Sequence, residues 1–264
     1  MGLITFNGKS TEELGLISQA VPAYEFPKKN YKYTHIPGRN GDLVTDLNSY
    51  ENIERTYYLA CVYKPGTNFA LNSGAIVDWL MSAKGYCRLE DSYEPDVYRL
   101  ATYVNNGSLA DIYGQATTLN VTFNCKPQRY LKDGEKEKSF NTSGGLTLFN
   151  PTGYESLPLI KFKPTASEGT ITISINGEEI GSVALESSVQ NKTIYIDSET
   201  QYCYYIENNK KKAINRIFTM NTFPVLKSGI STITFSSGSS ILFENVTIIP
   251  RWWKLWYVYL NKMP

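Results

Sequence analysis

Tyr31-Lys32-Tyr33-Thr34-His35-Ile36-Pro37-Gly38-Arg39-Asn40-Gly41-Asp42-Leu43 is the stretch from which the rest of the chain is read. A strand-like run meets Pro-Gly and Asn-Gly within five residues, and apolar alternation then resumes. Asn40-Gly41 predicts the φ > 0 positions of a tight hairpin turn, with Pro37 pre-setting the approach. The expectation is a protruding β-hairpin with arms over 31–36 and 43–47. Its tip is charged, with Arg39 and Asp42 flanking the turn.

Working outward, residues 3–7 and 15–22 read as short strands joined by Ser10-Thr11-Glu12-Glu13, which has the look of a capped turn. A longer strand is expected over 53–64, ended by Pro65-Gly66. The single helical signal covers 74–84. Asn72 or Ser73 is placed to cap its start and Gly85 stands at C′. Ile76, Trp79, Leu80 and Ala83 recur at i, i+3, i+4 and i+7, which makes one apolar face for a sheet. Strands return over 86–90, 97–104 and 117–125. In the last of these, Leu119, Val121, Phe123 and Cys125 alternate with polar partners.

Residues 131–138 carry Gly and alternating charge, and read as a linker or a solvated hairpin tip. Beyond them the pattern is β throughout. Short runs over 146–149, 157–163, 170–175, 179–185, 192–197, 202–206, 213–218, 230–235 and 241–249 are separated by turn signals such as Asn176-Gly177 and Asn208-Asn209-Lys210. That spacing, with no helical period, predicts an antiparallel sandwich of jelly-roll type. The fold class expected is mainly β, in two domains over 1–133 and 134–264, the first carrying the helix and the projecting hairpin. No fixed-period repeat supports a solenoid or propeller.

The 264 residues suffice for one large β domain or two of about 130 residues. The 20 tyrosines favour strands. Charge is balanced: 13 Lys+Arg against 14 Asp+Glu up to residue 133, and 13 against 11 after it. Neither half has a nucleic-acid footprint, so no nucleic-acid binding is expected. No apolar run reaches the roughly 18 residues of a membrane span, so no membrane insertion is expected. The start of the chain lacks a signal-peptide pattern, and Phe6 stands where a myristoylation site needs Ser or Thr. Without a secretion signal, Asn106-Gly107-Ser108 and Asn191-Lys192-Thr193 carry no meaning as sequons.

Cys61, Cys87, Cys125 and Cys203 show no Cys-x-x-Cys spacing and only one histidine accompanies them, so no metal site is expected. They read as buried reduced thiols, consistent with a reducing cytoplasm. His35, the only histidine, lies in the hairpin arm, and no Gly-x-Ser-x-Gly elbow exists for a triad. Glu90, Asp91, Glu94 and Asp96 lack the order of a calcium loop and read as a solvated loop. With no phosphate-cradling glycine loop, no cofactor is expected. Lys210-Lys211-Lys212 reads as a hairpin turn. The aromatics Tyr202, Tyr204, Tyr205, Trp252 and Trp253, in a cluster running to Tyr257, read first as core or interface. A carbohydrate-stacking surface is the alternative. No residue qualifies as catalytic, and an enzyme is not expected.

The block Ile36-Pro37-Gly38-Arg39-Asn40-Gly41-Asp42-Leu43 resembles the signature of the distal tail proteins of long-tailed bacteriophages, the Dit family. The resemblance extends along the chain. It takes in Phe6-Asn7-Gly8, Glu13-Leu14-Gly15-Leu16, Trp79-Leu80, Pro95-Asp96-Val97-Tyr98-Arg99-Leu100-Ala101 and Val121-Thr122-Phe123-Asn124-Cys125-Lys126-Pro127. It continues through Asn150-Pro151-Thr152-Gly153, Tyr195-Ile196-Asp197-Ser198, Phe223-Pro224 and Pro250-Arg251-Trp252-Trp253. It implies an N-terminal ring-forming domain whose hairpin serves as a belt, and a galectin-like or carbohydrate-module-like C-terminal sandwich. It implies a homo-hexamer in the virion at the tail tip, assembled in the host bacterial cytoplasm. Its implied partners are the tail tube protein, the tape measure, a tail-associated tip or fibre protein, and receptor-binding proteins. By the same resemblance Pro37, Gly38, Arg39, Asn40, Gly41 and Asp42 would contact a neighbouring subunit.

Overall fold

The computed structural model describes residues 2–62, 69–104, 109–112, 116–141, 145–238 and 240–255, without side chains at 62, 69–71, 110 and 111. The chain divides into two compact units. One contains the residues up to Arg129 together with Leu255, and the other is Tyr130–Lys254.

In the first unit the strands are β1 (Ile4–Phe6), β2 (Lys9–Ser10), β3 (Leu16–Ser18), β4 (Lys29–Thr34), β5 (Leu43–Tyr50) and β6 (Ile53–Val62). Helix α1 (Phe69–Met81) follows, then β7 (Cys87–Asp91), β8 (Val97–Tyr103), β9 (Ala110–Ile112) and β10 (Ala116–Cys125). The sheet order is β2-β1-β7-β8-β10-β6-β3, with β9 also on β10, and β4-β5 form a separate two-stranded sheet. All ten residues of β6 pair with β10, from Ile53↔Cys125 to Val62↔Ala116. Inward-facing Tyr57, Leu59, Val121 and Phe123 are fully buried. Ile76, Trp79 and Leu80 of α1 join the same core, and the Trp79 indole donates to the Phe6 carbonyl at 3.0 Å. The apolar helix face is thus the one expected.

The helix starts earlier than its cap signals suggest. Asn72 lies inside it and donates to Cys61 Sγ at 3.6 Å instead of capping. It ends at Met81, so Gly85 (φ +70°) shapes the loop to β7 rather than closing the last turn. The expected strand end at Lys64 and Pro65-Gly66 lies outside the described residues.

The second unit begins within β11 (Arg129–Leu131) and continues with β12 (Lys138–Phe140), β13 (Gly145–Asn150), β14 (Leu159–Pro164), β15 (Gly169–Ile175) and β16 (Glu178–Leu185). It is completed by β17 (Ile194–Asp197), β18 (Tyr202–Glu207), β19 (Lys210–Ala213), β20 (Phe218–Met220), β21 (Gly229–Ser236), β22 (Phe243–Ile249) and β23 (Trp253–Lys254). One sheet runs β12-β22-β14-β17-β18-β19 and the other β13-β21-β15-β16-β20. Ile160, Phe162, Ile194, Ile196, Val246 and Ile248 of the first meet Ile171, Ile173, Val183, Ile233 and Phe235 of the second in one core. All eleven are large side chains at the inward positions of period-2 strands, each contributing about 1.5–3 kcal/mol when fully buried. The unit is a β-sandwich, as its spacing predicted.

Residues 131–138 are not a solvated linker. Lys132–Glu135 form a 3-10 turn with Gly134 buried, and a Cβ there would lie 2.5 Å from the Trp252 amide nitrogen. A close backbone approach, not flexibility, requires that glycine. The turn before the lysine run is Asn208-Asn209 (φ 51° and 57°), so Lys210, Lys211 and Lys212 lie on the edge strand β19 instead of forming the turn.

Candidate functional site

The β4–β5 hairpin is the most exposed element of the first unit. Tyr31, Tyr33, Leu43, Val44 and Leu47 are all exposed, Tyr33 at 63% and Leu47 at 52%. The register Tyr33↔Val44 and Tyr31↔Asp46 puts both tyrosines, Val44 and Asp46 on one face; Leu43, Thr45 and Lys32 share the other. Lys29 pairs with Asp46 and lies 5.4 Å from the Tyr31 ring centroid. Near the root two extra β5 residues are accommodated with Asn48 at φ 51°, a bulge that bends the ribbon. An isolated two-stranded ribbon is marginal in water, and a contiguous exposed apolar surface marks an interaction site. Among the described residues neither face is covered.

The tip differs from the tight turn expected at Asn40-Gly41. The strands close at Thr34↔Leu43, leaving an eight-residue loop over 35–42. The positive φ angles fall at Gly38 (79°) and Gly41 (77°), not at Asn40. The Arg39 amide donates to the Ile36 carbonyl at 3.2 Å. Pro37 and Gly38 therefore occupy the central positions of a type II turn, whose second position demands φ > 0. Pro-Gly outcompetes Asn-Gly because the proline ring fixes the first angle and glycine alone tolerates the second without cost. Asp42 is engaged by His35 Nδ1 at 3.3 Å within the same loop, which leaves Arg39 as the tip charge without an ion pair among the described residues.

The segment leading into the hairpin is anchored on a buried ionic cluster. Arg55, Arg99, Arg129, Asp91 and Glu94 are each at most 6% exposed. Arg55 Nη2 contacts Asp91 Oδ2 at 3.0 Å and Glu94 Oε2 at 3.5 Å, Arg129 Nη1 contacts Glu94 Oε1 at 3.1 Å, and Arg99 binds Glu94. Tyr57 Oη donates to Asp91 Oδ2 at 2.6 Å. Burial alone would raise the Asp91 pKa, but Arg55, Tyr57 and Arg99 hold it below the ordinary carboxylate value. Burial, with Arg99 beside it, pulls the Arg129 guanidinium down to about 10. Three cations face two anions. Arg55 Nη1 reaches the Ala23 carbonyl at 3.4 Å, and the Tyr24 ring lies 5.3 Å from Arg55 and 6.0 Å from Arg129.

Asp91 and Glu94 are therefore not part of a solvated loop. The signal was the arginines: Arg55 sits between Ile53 and Tyr57, and Arg99 between Val97 and Ala101, all on the inward phase of their strands. A charge at an inward position requires a buried partner.

The aromatics of the second unit are engaged among themselves. Tyr204 is 5% exposed, stacked on Tyr195 (5.0 Å, 3°) and Tyr202 (5.4 Å, 25°), with Lys211 4.3 Å from its centroid. Trp252 is buried in the sandwich core. Neither offers a ring face to a sugar. Trp253 stacks on Tyr154 at 4.6 Å, and Lys192 lies over Tyr205. Trp256 and Tyr257 lie outside the described residues. Among the described residues no cluster of potential metal ligands occurs, and no helix is long and apolar enough to cross a membrane.

With this geometry in hand, likeness to known structures is informative. The crystal structure of the SPP1 Dit protein, described as a paradigm of hub adsorption apparatus in Gram-positive infecting phages, superposes with a TM-score of 0.68 at 12% identity, covering 94% of this chain and 97% of its own. This chain has the Dit fold. Chains of the phage P2 baseplate in its activated conformation, with Ca and with Sr, each reach a TM-score of 0.50 at 10% and 12% identity. Each covers 94% of this chain, with 98% and 97% of the baseplate chains matched. No family model and no curated protein matches by sequence.

Proposed function

We propose that the chain is a structural subunit of a phage tail tip, forming a hexameric ring that joins the tail tube to the tip, fibre or receptor-binding apparatus. The observation that supports this is the Dit fold, shared over 94% of this chain and 97% of the SPP1 protein, together with the exposed β4–β5 hairpin. Residues 37–42 lie at the far end of that hairpin, where a ring would bring them against a neighbouring subunit. The balanced charge of the chain suits a protein that associates with itself and with several partners.

In this reading the chain performs no catalysis, and it resides in the virion at the tail tip. Its first unit forms the ring. Partners above are the tail tube protein and tape measure; below are a tail-associated protein and receptor-binding proteins. Native mass measurement and electron microscopy of the purified chain test the proposal. Rings of six subunits are expected; a monomer at tens of micromolar with no ring in the images refutes it.

A further inference from the structure

The sheet β12-β22-β14-β17-β18-β19 ends on one side at β19, beyond which no described strand pairs. All four residues of β19 are exposed. The β18–β19 hairpin sets Glu207 opposite Lys210 and Tyr205 opposite Lys212, and the positive-φ residues Asn208 and Asn209 close it. Just past β19, the Ile214 amide donates to the Cys203 carbonyl at 2.9 Å. By ladder alternation Lys210 and Lys212 turn their backbone groups the same way, toward β18, while Lys211 and Ala213 turn theirs to the open side. Their N–H and C=O groups, about 7 Å apart along the strand, are a template for a further strand.

The side chains give this edge a sign. Lys211 lies on the outer face, 4.3 Å from the Tyr204 ring centroid, and Lys210 and Lys212 share the opposite face. Other lysines nearby are engaged. Lys161 and Lys163 of β14 pair with Glu137 and Glu244, and Lys192, just before β17, pairs with Glu207 at 3.1 Å. The carboxylate directly across from Lys210 is therefore already held. Lys210, Lys211 and Lys212 themselves make no ion pair among the described residues. Positive charge without a counter-ion thus lines both faces of a strand whose backbone is open.

We infer that the β19 edge receives an extended acidic peptide segment of a partner protein, added to the sheet as a further strand with carboxylates at alternate positions opposite Lys210 and Lys212. The residues between those carboxylates exchange hydrogen bonds with Lys211 and Ala213. Main-chain bonds supply the affinity and the alternating charge supplies the choice of partner. A peptide fits this edge better than a phosphodiester polymer does. The edge offers donors and acceptors together, and a peptide backbone matches both, whereas phosphate oxygens only accept. Lysines that repel another basic edge attract this one. The inference concerns the second unit and does not depend on the ring-subunit reading.

Fluorescence anisotropy of the full chain with a labelled peptide of alternating glutamate and threonine tests it. Binding is expected, and amide exchange over residues 210–213 should slow in the complex. Lys210→Glu and Lys212→Glu should each weaken binding about fivefold, through loss of one exposed charge pair apiece. Ala213→Pro keeps the charge but removes an amide that faces the open side, where an edge strand tolerates proline, and should cost about fivefold. Methylating the threonine amides of the peptide also keeps its charge and should abolish binding. A methylated peptide that binds as well as the parent overturns the inference, as does no binding at about 1 mM peptide. Equal competition by poly(glycerol phosphate) at matched charge overturns it too, since the site would then take polyanions and not a strand.

Discussion

Glu94→Gln isolates what the buried cluster contributes, because it removes a charge while keeping nearly the same volume. Glu94 is 2% exposed, accepts from Arg99 and from Arg129 at 3.1 Å, and lies 3.5 Å from Arg55. At an effective dielectric of about 20, one such contact at 3.1 Å is worth roughly 5 kcal/mol. Against the loss of these contacts stands the desolvation that the carboxylate no longer requires, several kcal/mol per ion, so the net cost is about 3–5 kcal/mol. Three guanidinium groups would then face Asp91 alone. For a unit of this size the midpoint of thermal unfolding should fall by roughly 10–20 °C. Amide hydrogen exchange read by mass spectrometry distinguishes the units: peptides from β6 and β8 should lose protection, and peptides from β14 and β22 should not. Arg129→Met should cost less, because it leaves two cations against two anions. A Glu94→Gln loss under about 1 kcal/mol, or one shared equally by both units, would refute the reasoning.

Three further outcomes are expected. Asp91 and Asp197 both have lowered pKa values, because arginine contacts outweigh the upward push of burial. The folded state then holds these charges more tightly than the unfolded chain, so their stabilisation is complete at neutral pH and is lost as pH falls through and below the ordinary value of 3.8; denaturant midpoints flat down to pH 2 would contradict this. Burial raises the Cys125 thiol to about 11 and Cys203 to about 12, while Cys61 is buried and Cys87 only half-buried. Of the four thiols one should react rapidly with a maleimide at pH 8, and Cys87→Ser should abolish that phase. Gly41→Val forces a β-branched residue to φ 77°, in open space, at a cost of about 1–3 kcal/mol confined to the loop. It should impair ring formation but not core protection, whereas Asn40→Val should assemble normally; equal behaviour of the two variants would show that the tip geometry is irrelevant.

The periodic parts of the fold were legible. Ile76, Trp79 and Leu80 mark a helix face and Leu119, Val121 and Phe123 a strand face, because period alone decides which side is buried. The type I′ turn at Asn176-Gly177 (φ 53° and 83°) was equally clear. Legibility failed where two signals compete within a few residues. Pro37-Gly38 and Asn40-Gly41 each specify a turn, and Pro37-Gly38 takes it because the proline ring fixes the first angle and Gly38 tolerates the positive second one. It failed again at Asp91 and Glu94, whose partners on β6, on β8 and at Arg129 are distant in sequence. The aromatic run around Tyr204 gave no clue to burial, since exposed and stacked tyrosines share the same spacing.

The lysines of β19 bear on the fate of the chain before assembly. They occupy the edge of a six-stranded sheet that would otherwise present bare backbone to every neighbour. With that border electrostatically fenced, copies crowding together before assembly are discouraged from adding strand to strand along this sheet and growing into tangled polymer.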